Sequence, residues 1–547
     1  MKANKFFLGL ALIGAILTGC ETGQGPETND DEAKAYMSVR ISMASTAGTR
    51  AGDGGFAQGT EAEQKIFQNK SIFLFYDEHG NWVTSGQLMT QEELGTGNKV
   101  PGGTGTEGDP EHGDQFNDYE KEAYIVLSGP DEELNKSEQV LTVVNYNNCA
   151  SLKYLSLTDA LAKITTHADD PANAGFLMST SVYVKGGAIV NTTAIDPSIH
   201  IQQDAAQAKL NPVDIYIERA SAKAELKSNS SSDPNFGKLT VAAGKGIVVD
   251  GVLSDVTVAI NGWTLNNVHE STYLVKQLDN SWIDTAPFTG WNWADNYRSY
   301  WAIGKNYRAI TGAGNKIYAY KDATTAHDGE TPMYCYENTV AEPKCGKGVA
   351  SPNVNTVLIA AQFKVGTEDY QDLYEYYGVF YKKATYKSVI LEQLKNKKIK
   401  KGAVGSDVEL VAEDFDFVKD GSTVAGIKFS LKDDVNYTLD GAVKTKAEIE
   451  AEINAISYIG EAKGYSEGKC FYQIPVEHLG AAGTSAQYGM VRNHWYEISI
   501  SKINHVGEPV FDPEVVIPEI PAESQEYYLA AQIHILSWHV VTQNVEL

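Results

Sequence analysis

Tyr36-Met37-Ser38-Val39-Arg40-Ile41-Ser42-Met43 alternates apolar and polar residues, the period-2 pattern of a half-buried strand. Met37, Val39, Ile41 and Met43 share one face; Ser38, Arg40 and Ser42 share the other. Upstream, Lys2 and Lys5 flank the start of an apolar run from Phe6 to Leu17, and Leu17-Thr18-Gly19-Cys20 forms a lipobox. The run is too short to span a bilayer, so it reads as a lipoprotein signal with Cys20 as the acylated residue. Residues 21 to 35 are small, polar and acidic, the composition of a flexible tether.

Downstream comes Thr49-Arg50-Ala51-Gly52-Asp53-Gly54-Gly55, too rich in glycine for regular structure and open to a protease. A cut between Arg50 and Ala51 would remove the lipid anchor and the strand together. The body would keep an open apolar groove, and such a groove invites a replacement strand from another molecule. Arg50 reads equally well as a charged loop residue, so both readings stand at this level.

The opposite end supplies a candidate replacement. Glu508 to Glu526 carries Pro509, Pro513, Pro518 and Pro521, which predicts an extended spacer projecting from the body. Beyond it, Leu529, Ala531, Ile533 and Ile535 share one parity, and Leu536, Trp538 and Val540 share the other. The change of phase predicts a bulge or two short strands. This tail reads either as a donor strand or as a final strand folded into its own domain.

The chain has 547 residues, enough for two sizeable cores. Its 45 Lys and Arg face 71 Asp and Glu. Residues 1 to 50 hold five charges of each sign, so the shortened chain keeps the net −26. A surface this acidic argues against nucleic acid and anionic membranes as partners. Thirty Tyr, 49 Gly and frequent Val, Ile and Thr favour strands. A hairpin is predicted from Ser71 to Thr84, turning at Asp77-Glu78-His79-Gly80, and a buried strand over Val140 to Tyr146. Short helices are predicted after Ser156 and after the capping box Thr445-Lys446-Ala447-Glu448. Strands with such excursions fit β-sandwiches, with a domain boundary near Leu210 to Pro212.

Little in the chain suggests chemistry. Cys149, Cys335, Cys345 and Cys470 match no metal or redox spacing and allow three disulfide pairings. No G-x-S-x-G, H-E-x-x-H or phosphate-binding loop occurs. Asp414 and Asp416 stand at strand spacing, which more often marks a solvated face than paired catalytic carboxylates. We therefore expect no catalytic residues, no metal and no cofactor. Trp282, Trp291, Trp293 and Trp301 cluster with Tyr297 and Tyr300; Trp291, Trp293 and Trp301 are candidate glycan contacts, although such clusters are more often core.

The stretch Tyr488-Gly489-Met490-Val491-Arg492-Asn493-His494-Trp495-Tyr496-Glu497-Ile498-Ser499-Ile500 resembles the Y-G-v-v-R-N-x-x-Y-x-i-x-I signature of Bacteroidales-type fimbrillins, the subunits of type V pili. Gly468 to Ile474, Phe176 to Ser179 and Glu218 to Lys223 are similar to other family positions. The Tyr36 strand, the Arg50 junction and the Leu536-Ser537-Trp538-His539-Val540 ending resemble the stalk subunits of the minor, short fimbria.

The resemblance implies a mainly β fold with two tandem transthyretin-like β-sandwich domains, short inserted helices and an extended C-terminal donor segment. The corresponding divisions are a signal peptide over 1–20, a propeptide over 21–50, domains over 51–210 and 211–507, and spacer plus donor over 508–547. It also implies a precursor held at the outer membrane through Cys20 and cut at Arg50-Ala51 by an arginine-specific protease of the gingipain type. The subunit would polymerise with copies of itself through the tail and join anchor and tip subunits. The finished fimbria would meet host or bacterial surface receptors in adhesion and biofilm formation. Two other readings predict a different fate for the ends: an anchored glycan-binding lipoprotein keeps Arg50 uncut, and an anchor or tip subunit lacks the cleavage site or the tail.

Overall fold

The first predicted strand is real and central. In the computed structural model, which describes residues 34–43, 63, 65–89, 120–166, 175–228, 230, 233–282, 297–308, 315–326, 331–345, 353–479, 483–517, 529–536, 539–540 and 543–544, it is β1, Lys34–Met43. The neighbouring strands are β2 (Ile72–Tyr76), β3 (Trp82–Met89), β4 (Glu120–Ser128), β5 (Gln139–Val144), β6 (Met178–Thr180), β7 (Thr193–Ala194) and β8 (Val213–Arg219). They form an eight-stranded sheet in the order β7-β5-β2-β3-β4-β1-β8-β6. A further pairing of β5 with β6 closes the sheet on itself, joining the two faces of a sandwich along both edges.

The local signals behave as their chemistry requires. In the β2–β3 hairpin Asp77 accepts hydrogen bonds from the backbone of His79 and Asn81, which stabilises the turn. Ser156 caps the helix α1 (Leu157–Leu161) by accepting from Asp159 N. A short helix α2 (Ala205–Ala208) packs against β1.

The second region opens with β9 (Ser221–Ser228), one residue after β8. Further strands are β10 (Val256–Asn266), β11 (Met333–Tyr336), β12 (Thr356–Val365), β13 (Lys469–Pro475), β14 (His494–Ile503), β15 (Glu508–Pro509), β16 (Leu529–Leu536), β17 (His539–Val540) and β18 (Gln543–Asn544). One sheet runs β11-β9-β14-β16-β18, with β17 pairing β14; the other runs from Lys238–Leu239 through β10, β12 and β13 to β15. Ala222, Leu226, Ile498 and Ile500 from the first sheet meet Trp263, Ile359, Tyr472 and Ile474 from the second in one core. Between β12 and β13 an excursion adds the helices α3 (Lys383–Asn396) and α4 (Lys446–Asn454) over an aromatic core of Tyr374, Tyr386, Phe415, Phe417 and Phe429. The Thr445 capping box opens α4, with Thr445 and Glu448 bonding each other's backbone N–H.

Two boundaries differ from expectation. The boundary is expected near Leu210 to Pro212, but β8 after it completes the first sheet, so the chain crosses to the second sheet at the buried Ala220. The spacer also starts later than its prolines imply. Glu508–Pro509 pairs with β13, and Val510, Phe511 and Ile517 are buried against the body. Pro509 is tolerated because β15 is an edge strand, where a missing N–H costs little.

Candidate functional site

The site follows from where β1 lies. It runs antiparallel to β4, from Lys34 opposite Ser128 to Ser42 opposite Glu120, and parallel to β8, from Val39 opposite Val213 to Met43 opposite Ile217. At its start, Tyr36 exchanges two backbone hydrogen bonds with Gln202, 2.7 and 2.9 Å long. Thus both edges of β1 are occupied, and its removal would open a slot between β4 and β8.

The apolar face of β1 is buried as the alternation demands. Ala35, Met37, Val39 and Ile41 are buried, the middle two at 0% exposure, among Phe73, Phe75, Ile125, Leu127, Ile215 and Ile217. Burial of Met37, Val39 and Ile41 contributes roughly 5–9 kcal/mol before ordering costs. On the other face Arg40 Nε donates to Asp214 Oδ1 at 2.6 Å. Both side chains are nearly half exposed, so this pair adds under about 1 kcal/mol. Apolar fit therefore holds the strand, and a strand held by apolar fit is replaceable by another of similar pattern.

Glu63, which follows Arg50 in the sequence and carried no sequence signal, is held firmly in the fold. Its buried carboxylate receives Tyr334 OH at 2.6 Å and Lys223 Nζ at 3.1 Å, and its carbonyl accepts from Arg219 Nε. Lys223 Nζ also lies 3.9 Å from the centre of the Trp495 ring. Glu63 thus fastens the chain to the junction of the two sheets.

The signature residues build that same junction. Arg492 is fully buried; its Nη2 meets Glu337 Oε2 at 2.9 Å, Thr272 Oγ1 at 3.1 Å and Tyr273 O at 2.7 Å. Asn493 accepts from Arg219 Nη1. Nearby, Lys276 Nζ pairs with Glu218 Oε2 at 2.6 Å, both fully buried. Burial pulls Lys276 down and Glu337 up, and the facing charges of Glu218 and Arg492 oppose those shifts. Burial also pushes His478 down to about 3, so its ring is neutral. Its Nε2–H donates to Tyr300 O, leaving Nδ1 to accept from Tyr496 OH. These groups are committed to one another, the pattern of a structural clamp rather than a reactive centre.

The tail lies on its own second domain. β16 runs antiparallel to β14, from Trp495 opposite Leu536 to Ile503 opposite Leu529, and β18 covers its far side. Val540 belongs to β17, which pairs with β14 through His539. The side chains of the tail lie outside the described residues, as do Trp538, Cys20, Arg50 and Ala51. With β1 seated between β4 and β8, its place in the first sheet is occupied.

Other candidates are resolved by burial and pairing. Trp301 is 0% exposed and Trp282 and Tyr300 are also buried, so Trp301 cannot be a surface glycan contact. Trp291 and Trp293 lie outside the described residues. Asp414 pairs with Lys401 and Asp416 with Lys383, which makes them charge partners of lysines. Among the described residues no group of His, Cys, Asp and Glu could hold a metal ion, and no helix is long and apolar enough to cross a membrane.

Glu508, at the base of the tail segment, titrates unusually. Burial raises its carboxyl from 4.5 to about 7, with Glu375 adding to the rise and Lys463 opposing it. A raised folded value means that the protonated acid favours the fold: its contribution is complete below about 4.5 and lost as pH climbs through about 7. We expect β15 to loosen between pH 5 and 8 by on the order of 3 kcal/mol, and Glu508→Gln to flatten that dependence. Hydrogen exchange of Val510 and Phe511 across this range checks it; equal pH dependence in both proteins refutes it.

Residues 463–544 match the family described as "Major fimbrial subunit protein type IV, Fimbrillin, C-terminal". This region is similar to the C-terminal part of fimbrillins. The fimbrillin match spans β13, the clamp residues Arg492 and Asn493, β14 and most of the tail. No curated protein matches the sequence. Among solved structures, a fimbrilin from Porphyromonas gingivalis W83 aligns over 93% of this chain and 98% of its own, at 12% identity and a TM-score of 0.34. A protein described as a cell adhesion protein, from Parabacteroides distasonis ATCC 8503, aligns over 93% and 98%, at 10% identity and a TM-score of 0.35. A fimbrial assembly protein from the same organism aligns over 76% and 100%, at 12% identity and a TM-score of 0.25.

Proposed function

We propose that the chain is a structural, non-enzymatic subunit of a cell-surface fimbria, assembled by strand replacement. The precursor is exported as a lipoprotein acylated at Cys20, cut between Arg50 and Ala51, and stripped of β1. The tail of a neighbouring copy then leaves its own β14 and fills the slot between β4 and β8. The minor-fimbria stalk is the subunit type that best accounts for a cleavage site and a tail in one chain, and adhesion and biofilm formation are the processes such a fimbria serves.

One observation carries this reading: the strand that precedes Arg50 is an interior strand of a closed sheet, with 0% exposure at Met37 and Val39. Removing an interior strand of a closed sheet has a cost that another strand can offset. The anchored glycan-binding alternative loses Trp301 to the core.

The test is intact mass and size-exclusion chromatography of the precursor before and after limited digestion with an arginine-specific protease. Loss of residues 1–50 followed by SDS-resistant ladders is expected, and Arg50→Ala should prevent both. A precursor that is cut and stays monomeric contradicts the proposal.

A further inference from the structure

We infer that the incoming tail lies in the slot in the same direction as β1, antiparallel to β4 and parallel to β8, with Leu529 in the place of Met37. This rests on the strand-replacement reading and specifies its geometry. Both strands present four alternating apolar residues, Met37, Val39, Ile41 and Met43 in one and Leu529, Ala531, Ile533 and Ile535 in the other. The two sets superpose in either direction, so the apolar face alone does not choose. The opposite face does.

Ser38 decides it. Although it sits on the polar face, it is 1% exposed, and its hydroxyl meets no hydrogen-bond partner among the described residues. Its cross-strand neighbour is the buried Tyr124, and α2 brings the fully buried Ala205 and Ala208 against the strand. The position therefore takes a small side chain, and among the described residues it offers a serine hydroxyl no partner. In the same direction as β1, Ala530 falls at Ser38; in the reverse direction His534 falls there. A buried imidazole would overpack the site and lack partners. Alanine fits the space and removes the unpaired hydroxyl.

Two further positions agree. Same-direction docking puts Tyr528 at Tyr36, the residue bridged to Gln202, and Ile533 at Ile41. The reverse direction puts Leu536 at Tyr36. Gln532 falls at Arg40, opposite Asp214, in both and does not discriminate.

Cysteine cross-linking between cleaved subunits tests the register. Ser42 lies opposite Glu120, and the residue entering its place is His534 in the same direction but Ala530 in reverse. Glu120→Cys mixed with His534→Cys should yield a disulfide-linked dimer on non-reducing gels, and Glu120→Cys mixed with Ala530→Cys should not. In parallel, Ala530→Trp should lower polymer yield by about tenfold or more, and His534→Trp should leave it near that of the parent. Polymers that cross-link through residue 530, or through neither, overturn the register while leaving strand replacement standing. A cleaved parent chain that forms no polymer overturns both.

Discussion

Replacing Ile533 and Ile535 with Asp yields a folded monomer that is cleaved normally and forms no polymer. The slot that loss of β1 would open is lined by Phe73, Phe75, Ile125, Leu127, Ile215 and Ile217, none of which is a cation to meet a carboxylate. Each Asp must enter as an uncompensated charge or take up a proton first, at several kcal/mol per residue. As each 1.4 kcal/mol is tenfold in an equilibrium constant, insertion falls by roughly a thousandfold or more. The measurement is sedimentation of cleaved protein beside the parent, with circular dichroism as the folding control. Filaments of ordinary length from the double variant would remove the tail from its role. Because β16 also pairs with β14 in the monomer, some loosening of the tail is expected, but the core of the second domain draws on β9, β10, β12, β13 and β14.

Arg492→Ala destabilises the protein by about 3–5 kcal/mol, the loss typical of breaking a buried ion pair from one side. The substitution leaves Glu337 fully buried without its guanidinium and frees Leu274 O, Tyr273 O and Thr272 Oγ1 from their donor. Glu337, already raised by burial, would take up a proton to stay inside. Urea unfolding of parent and variant reads the difference. A companion Arg492→Ala, Glu337→Gln variant should recover part of the loss, since the orphaned charge goes with it. Should the single variant unfold within about 1 kcal/mol of the parent, Arg492 is not the clamp described.

The pH behaviour of Glu508 acts on a different element. The Arg492 cluster holds the two sheets together, while Glu508 secures the edge strand from which the tail segment departs. The first should alter global unfolding, the second only local opening near β15.

Much of this was legible in the residues. Period-2 alternation marked β1 and the tail, because a side chain's face is set by its parity along the strand. Ser156 and Thr445 marked helix starts because their hydroxyls cap the first turn wherever the chain goes. The hairpin over β2 and β3 was readable from its Asp and Gly turn for the same local reason. The signature around Arg492 was readable only as a resemblance; that its guanidinium joins Glu337, the Thr272 hydroxyl and the carbonyls of Tyr273 and Leu274 depends on residues over 150 positions away.

The misreadings share a cause. The boundary expected at Leu210 to Pro212 stands before an interior strand and Pro509 of the expected spacer lies within an edge strand, since a proline records only its own φ and missing N–H. Trp301 looked like a platform because exposure is not written in a side chain's identity; the fold buries it. Glu63 gave no signal because its importance lies in Tyr334, Lys223 and Arg219, which only the tertiary structure brings to it.

What the sequence determined by itself was local: strand parity, helix caps and an acidic balance of charge. What only the tertiary structure decided was neighbourhood: that β1 is flanked on both edges, that Ser38 is buried on its polar face, and that the tail lies on β14. Backbone preferences are set by a residue and its nearest neighbours in the chain. Edges, slots and ion pairs are set by which distant segments bury their apolar faces together, and no single stretch of the chain specifies that alone.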